Sequence, residues 1–201
     1  MSEVRAKRME YYWKDNGEEL CIETEPSLFS PKGPDAGTLA MLQHVELEGH
    51  ERVLDLGCGA GIVGIWAAKK VGGENVVMTD IDPLAVEVSK RNLERNGISG
   101  ATVVCGPDLS AVPGKDYDLI LSNPPYHTDF KVAKTFIEKG FNRLKTGGRM
   151  VLVTKRREWY KMKMIAIFGG VRIYETNGYL VFVSEKKSED FAKKIRKKFE
   201  K

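Results

Sequence analysis

Short apolar runs alternate with longer amphipathic stretches along most of the chain. In Val53-Leu54-Asp55-Leu56 almost every position is apolar, the pattern of a strand covered on both faces. The apolar stretch 62–71 is long enough for a helix, and Gly57, Gly59 and Gly61 lie between the two. Those glycines permit positive φ and let a ligand approach bare backbone, while the helix opens with unpaired N–H groups aimed at it. Further strands are predicted over 75–80, 101–106, 117–122 and 149–154. Helices are predicted from the Asp82 N-cap and Pro83 through Leu93 to a stop at Asn96-Gly97, over 130–144 with a stop at Thr146-Gly147-Gly148, and over 159–168. Residues 171–174 and 179–184 are expected to pair across Asn177-Gly178. Ahead of all these, 11–24 reads as two short strands around Asp15-Asn16-Gly17, with Tyr11, Tyr12 and Trp13 covering an edge. A Pro/Gly loop over 29–38 then leads into a helix ending near Val45. Strands alternating with helices predict an α/β fold, a doubly wound sheet that is parallel except for its last hairpin. We expect one domain over 1–201: N-terminal strands and a cap segment (1–45), a ligand-binding core (51–184) and a basic tail (185–201).

Two loops carry candidate chemistry. Asp55-Leu56-Gly57-Cys58-Gly59-Ala60-Gly61 has the spacing D-x-G-x-G-x-G. Gly59 to Gly64 also satisfies the dinucleotide fingerprint G-x-G-x-x-G, so a nicotinamide or flavin cofactor stays open at this point. Asp80 follows Gly59 by about 20 residues, where a carboxylate meets ribose hydroxyls in such folds, and its two accepting oxygens suit a vicinal diol. The second loop is Asn123-Pro124-Pro125-Tyr126-His127, at the end of the strand predicted over 117–122. An exocyclic amine conjugated to a ring has a delocalised lone pair and is a poor nucleophile. The Asn123 side-chain oxygen and the Pro124 carbonyl can accept its two hydrogens and hold the nitrogen in line for attack. Consecutive prolines fix φ and stiffen that backbone, and Tyr126 offers an aromatic face for a flipped base.

The glycine loop resembles motif I of the class I S-adenosylmethionine (SAM) dependent methyltransferases. Asn-Pro-Pro-Tyr resembles motif IV of those that methylate nitrogen conjugated to a ring or carbonyl. The resemblance implies a Rossmann-like class I methyltransferase sheet with SAM as cofactor. It implies that Asp55, Gly57, Gly59, Gly61, Asp80, Ile81, Asp108, Leu109 and Asn123 hold that cofactor, Asp108 beside the adenine amino group and Leu109 near its ring. Asn123, Pro124 and Tyr126 are the catalytic residues it implies. Phe29 to Thr38 is similar to F-S-x-x-x-x-D-x-G-[ST], which precedes motif I in a subset of these enzymes and implies a segment closing over the methionine end of SAM and the target base. With His127, that segment makes 29–183 resemble the small-subunit ribosomal RNA guanine-N2 methyltransferases and their single-domain relatives. Phe29, Lys32 and His127 are then substrate contacts. The activity implied is methylation of an exocyclic amine of an RNA base, guanine N2 in small-subunit rRNA. Adenine N6 of tRNA or DNA, glutamine N5 of a protein and a binding module without turnover are the alternatives. Bacterial rRNA enzymes of this kind carry a second, degenerate methyltransferase-like domain ahead of the catalytic one, for which these residues show no counterpart.

Composition adds bounds. No apolar run approaches a membrane span, and the N-terminus lacks the core of a signal peptide. Cys21, Cys58 and Cys105 are odd in number and widely spaced, which points to reduced thiols and a cytoplasmic location, with Cys58 a small filler of the glycine loop. His44, His50 and His127 are scattered, so no metal is expected. The net charge of +4 equals the excess in the tail alone, where eight basic residues face four acidic ones. Phe191, Ile195 and Phe199 recur every four residues, so 188–198 suits an amphipathic helix. Lys155-Arg156-Arg157, Lys161 and Lys163 form a second basic stretch. Both read as surfaces for a polyanion, RNA rather than a membrane, or as solvated faces. The pattern specifies no oligomeric state.

Overall fold

The alternation along the chain becomes three layers. The computed structural model describes residues 9–15, 17–125 and 130–192. In chain order they form β1 (Met9–Asp15), β2 (Glu18–Thr24), α1 (Ala36–Leu42), β3 (Val53–Leu56), α2 (Ile62–Val71), β4 (Val76–Asp80), α3 (Pro83–Arg95), β5 (Thr102–Cys105), β6 (Tyr117–Ser122), α4 (Lys131–Phe141), β7 (Leu144–Thr154), α5 (Glu158–Phe168), β8 (Arg172–Thr176) and β9 (Tyr179–Glu185). Seven strands make one sheet in the order β5-β4-β3-β6-β7-β9-β8. The first five of these pair in parallel, and β9 runs antiparallel to both β7 and β8. This is the doubly wound, Rossmann-like sheet that the pattern predicts. Among the described residues no helix is long and apolar enough to cross a membrane.

Successive residues of the central strands feed opposite layers, as the pleat requires. Val53, Leu119, Leu121 and Val151 share a core with Met41 of α1, Ile65 of α2 and Val88 of α3. Leu54, Leu56, Ile120 and Leu152 pack instead with Ile137 and Phe141 of α4 and Met164 and Phe168 of α5. Each such side chain contributes about 1.5–3 kcal/mol on burial, which is why these strands read as continuous apolar runs.

One boundary differs from expectation. The helix predicted over 130–144 ends at Phe141, and Thr146-Gly147-Gly148, expected to stop it, lies inside β7. Leu144 pairs with Tyr117, the register then shifts, and Arg149 pairs with Leu119. Gly147 adopts φ 86 there, its N–H donates to the Lys186 carbonyl, and the Lys186 N–H donates to Gly148. A bulge between two neighbouring strands thus uses the glycines that a local reading assigns to a helix cap.

The hairpin β1–β2 forms its own two-stranded sheet and docks on α3 through two asparagines one turn apart. Asn96 accepts from the Cys21 N–H at 3.0 Å and donates to the Cys21 carbonyl at 2.8 Å. Asn92 treats Glu23 the same way, at 2.8 and 2.7 Å, and also donates to the Ala60 carbonyl in the glycine loop at 2.8 Å. The two side chains satisfy alternate residues of the β2 edge as a neighbouring strand would. Asn92 is fully buried, so Asn92→Ala strands three backbone groups. It should lower the unfolding free energy by about 2–4 kcal/mol in urea titrations, whereas Lys90→Ala, exposed on the same helix, should stay within about 0.5 kcal/mol.

Candidate functional site

β3 and β6 are adjacent and in register, with Leu56 opposite Ser122. The chain therefore leaves the two strands side by side, into Gly57 on one and Asn123 on the other. Strand order reverses between them, since β4 and β5 lie beyond β3 while β7, β9 and β8 lie beyond β6. A crevice opens at such a switch point, at the C-terminal ends of the strands. Here it holds a cavity of about 360 Å³, within the range of small-molecule sites.

The glycine loop forms one wall. Asp55 is 2% exposed and accepts the Gly64 N–H at 2.9 Å, tying the first turn of α2 to β3. Gly64 must be glycine, because a Cβ there would meet Met78 at 2.6 Å. Gly59 adopts φ 55 with open space where its Cβ would stand, and its N–H donates to Asp80 at 2.9 Å. The second Asp80 oxygen accepts the Asp82 N–H at 3.0 Å, so the carboxylate is held at the cavity rather than swinging free. Asp55 thus lines the cavity while working as a helix anchor, and Gly57, Gly59 and Asp80 line it directly. Gly61 serves as the N-cap of α2, with φ 90. Cys58 is buried, its thiol 3.5 Å from the Ser89 hydroxyl and pushed well up by that burial, the behaviour of a filler rather than a nucleophile.

Asn123 is fixed from the opposite side. Its amide nitrogen donates to Asp35 at 2.9 Å and to the Thr38 hydroxyl at 3.0 Å. The same Asp35 oxygen caps α1, accepting from Gly37 and Thr38 at 2.8 and 3.1 Å. A carboxylate only accepts, so the amide atom facing it is the NH₂ and the oxygen points elsewhere. Both amide hydrogens are used, which leaves Oδ1 as the side chain's accepting atom. The 29–38 segment thereby enters the site through Asp35 and Thr38 as well as through Phe29, which is 53% exposed and lines the cavity. Pro124 is buried behind Asn123, and Pro125 lines the mouth.

Ile81, 67% exposed, and Leu109, 2% exposed, supply apolar wall on the β4 side. Asp108 lines that end but is shared with Lys139, which together with the Ser110 N–H holds its carboxyl well below the usual range. Lys32 is exposed and is not part of the cavity wall, whereas Phe29 of the same loop is. Tyr126 and His127 fall outside the described residues. Tyr11, read from the sequence as edge cover, lines the cavity, and burial pushes its phenol up to about 12. Only its place on a hairpin that docks behind the glycine loop could have signalled that. The tail also differs in part: Lys186 is buried over the Phe141 ring, donating to the Leu144 carbonyl at 2.8 Å and to Glu189 at 2.9 Å, and so presents no charge to a polyanion. Beyond Ala192, the tail helix expected over 188–198 lies outside the described residues.

Among the described residues, the ionisable acids of the wall are Asp35, Asp55, Asp80 and Asp108, joined by no Lys or Arg. Such a lining favours a cationic ligand. Burial, reinforced by Asp80, pushes the Asp55 carboxyl from 3.8 up to about 7 against the pull of the Gly64 N–H. Between those values the native chain holds a proton that the unfolded chain has lost, so stability from this group falls as pH rises. From about pH 4 to pH 7 the wild type should lose on the order of 2–4 kcal/mol more than Asp55→Asn, which keeps an oxygen for Gly64. Parallel urea titrations across that range would read the difference, and equal slopes would refute the buried, protonated Asp55.

Known proteins resemble this chain in sequence and in fold. The chain is 32% identical over 185 residues to the ribosomal RNA small subunit methyltransferase C of Pseudomonas entomophila, covering 90% of this chain and 54% of that protein. With the protein of the same name from Sodalis glossinidius the identity is 32%, covering 93% and 55%. The chain thus spans about half the length of the curated relatives it matches. Among solved structures, the T. thermophilus 16S rRNA N2 methyltransferase in complex with AdoMet and guanosine superposes with a TM-score of 0.82 at 26% identity, covering 90% of this chain and 51% of that one. A Pyrococcus furiosus methyltransferase shares the fold, with a TM-score of 0.65 at 21% identity over 84% of this chain and 90% of its own. The model of the methyltransferase small domain matches residues 19–183, a span that takes in the glycine loop, Asp80 and Asn123, and the chain belongs to that family.

Proposed function

We propose that the protein transfers a methyl group from S-adenosylmethionine to an exocyclic amine of an RNA base, guanine N2 in small-subunit ribosomal RNA. One observation carries the reading: Asp35 and Thr38 take both hydrogens of the Asn123 amide, which fixes the side chain at the cavity wall with its oxygen as the accepting atom. The relatives' names support ribosomal RNA, and the guanosine in the T. thermophilus complex supports guanine.

S-adenosylmethionine supplies, when bound, a methyl group on a positively charged sulfur. The cavity suits its other groups. Asp80 spends one hydrogen bond per oxygen on Gly59 and Asp82, and each oxygen keeps a lone pair for a ribose diol. Ile81 and Leu109 offer apolar wall to a planar base, and the carboxylates favour a ligand with ammonium and sulfonium charge. A nicotinamide dinucleotide would bring two phosphates into that same field, which disfavours it.

On the substrate side, the Asn123 oxygen and the Pro124 carbonyl accept the two amine hydrogens and leave the nitrogen lone pair directed into the cavity. Transfer of the methyl group to that nitrogen would break its bond to sulfur, leaving the electron pair on a neutral thioether, and positive charge would grow on the nitrogen until one of its protons passed to solvent. The two carbonyl dipoles, already held by Asp35, Thr38 and the proline backbone, stabilise the charge without having to reorient. Phe29 closes apolar surface over the entering base.

Asn123→Ala should bind SAM with nearly wild-type affinity in calorimetry yet lose about 100- to 1000-fold in kcat, because its dipole matters most as charge develops. Near wild-type kcat would reject the amine-acceptor role. Asp80→Ala should weaken SAM binding by about 1–3 kcal/mol, and an unchanged affinity would remove Asp80 from the cofactor site. The substrate is tested by incubating small-subunit RNA from cells lacking the protein with SAM and digesting it for nucleoside mass spectrometry. N2-methylguanosine is the expected product. N6-methyladenosine would reassign the base, and label in a protein glutamine alone would overturn the RNA reading.

A further inference from the structure

Several cations of the described surface are matched with carboxylates: Arg91 with Glu23 and Glu87, Lys139 with Asp108, Lys145 with Asp118, Lys163 with Glu138. The segment after β7 behaves differently. Lys155 and Arg156 have no carboxylate within 4.0 Å among the described residues, and Arg157 has only Glu175 at 3.9 Å. Aromatic rings hold the first two instead. The Lys155 ammonium lies 4.6 Å from the centre of the Tyr179 ring. The Arg156 guanidinium lies 5.0 Å from that of Phe130, which itself stacks on Trp159 at 4.3 Å and 15°. Cation–π contact of this kind fixes a side chain without neutralising it. All three cations remain exposed, with their donors available to a ligand.

Their place in the fold sets what they meet. Ser122 pairs with Leu152, so β7 ends beside Asn123 and Pro124, and Lys155 to Arg157 emerge on the same edge of the sheet. Phe130, beneath Arg156, is the N-cap of the helix that follows the Asn123 loop. The strip therefore lies on the C-terminal edge of the sheet, where the cavity also opens, and follows the strand next to that of Asn123. The cavity wall next to it carries carboxylates and no described Lys or Arg. A ligand drawn to both must be anionic outside and offer an uncharged or cationic group inside. A nucleotide within a polynucleotide has that character, its base entering while its phosphates stay at the rim.

We propose that Lys155, Arg156 and Arg157 are the phosphate-gripping lip of the site, holding the sugar–phosphate backbone of an unpaired RNA segment on either side of the target base. The proposal rests on the RNA reading given above. Guanidinium forks suit phosphate oxygens, and a ring-backed Arg156 reaches them with little side-chain entropy left to lose. Unpaired RNA is the favoured form because a base can enter a cavity of this kind only outside the helical stack.

The test measures binding apart from catalysis. Fluorescence anisotropy with a labelled single-stranded oligoribonucleotide, across a salt series, compares the wild type with Lys155→Ala/Arg156→Ala/Arg157→Ala. The triple variant should bind about tenfold or more weakly at physiological salt. Its plot of log affinity against log salt should be shallower by about two, as expected for three lost contacts to a single strand. SAM affinity and melting temperature should match the wild type, and Arg156→Lys should recover only part of the loss. A charge-matched control, Lys69→Ala/Lys90→Ala/Lys14→Ala, should leave the slope nearly unchanged. An unchanged affinity and slope in the triple variant, or an equal loss in the control, would overturn the lip. So would loss of binding to anionic phospholipid vesicles with none to RNA. If the lip behaves as expected while no RNA is methylated, the catalytic reading fails and this one stands.

Discussion

The carboxyl of Asp55 sits in a strand buried on both faces, and the need to satisfy it there shapes the ligand end of the sheet. Out of reach of water, it accepts the Gly64 N–H and so draws the first turn of α2 against β3. That approach leaves no room for a side chain at Gly64, and the chain between strand and helix must turn through left-handed glycines at Gly57, Gly59 and Gly61. The loop so formed offers the Gly59 N–H to Asp80, which places a second carboxylate at the same cavity. The placing of the Asp80 carboxylate at the cavity thus descends from the demands of a buried carboxyl on one strand.

Charge of opposite sign is kept at a different place. Acids line the interior of the cavity, and Lys155 and Arg156 follow β7 on the same edge of the sheet, backed by rings rather than by carboxylates. Two ligands of opposite charge can then share one crevice without competing for the same field. The low dielectric of the interior strengthens the inner attraction, whereas the outer one acts through solvent and yields to salt.

Much of this was legible in the sequence, because it depends on neighbours along the chain. Continuous apolar runs mark β3 and β6, and Asp82-Pro83 marks the start of α3 and Asn96 its end. The features that escape such a reading depend on distant partners. The tether from Asn123 to Asp35 spans 88 residues, so Asp35 reads as the acid of the 29–38 segment with no sign of its partner. Phe141 and Leu144 keep helical spacing, which carries a period-based boundary past the true end of α4; Tyr117 on β6 and Lys186 just past β9 decide otherwise. Lys186 itself reads as part of a solvated basic tail until the Leu144 carbonyl and the Phe141 ring are brought beneath it.

Asn92 joins three parts of the molecule in one amide: the β2 edge, helix α3 and the Ala60 carbonyl of the glycine loop. The same hydrogen bonds that seat the hairpin therefore also report on the loop. A molecule that orders the loop makes opening of the Glu23 amide to solvent rarer, so the exchange rate of that amide is coupled to occupancy of the crevice by the free energy of loop ordering. By reciprocity, loosening the hairpin taxes every ligand that needs the loop closed. A two-stranded ribbon outside the main sheet is in this way a thermodynamic partner of the binding site rather than an ornament on its back.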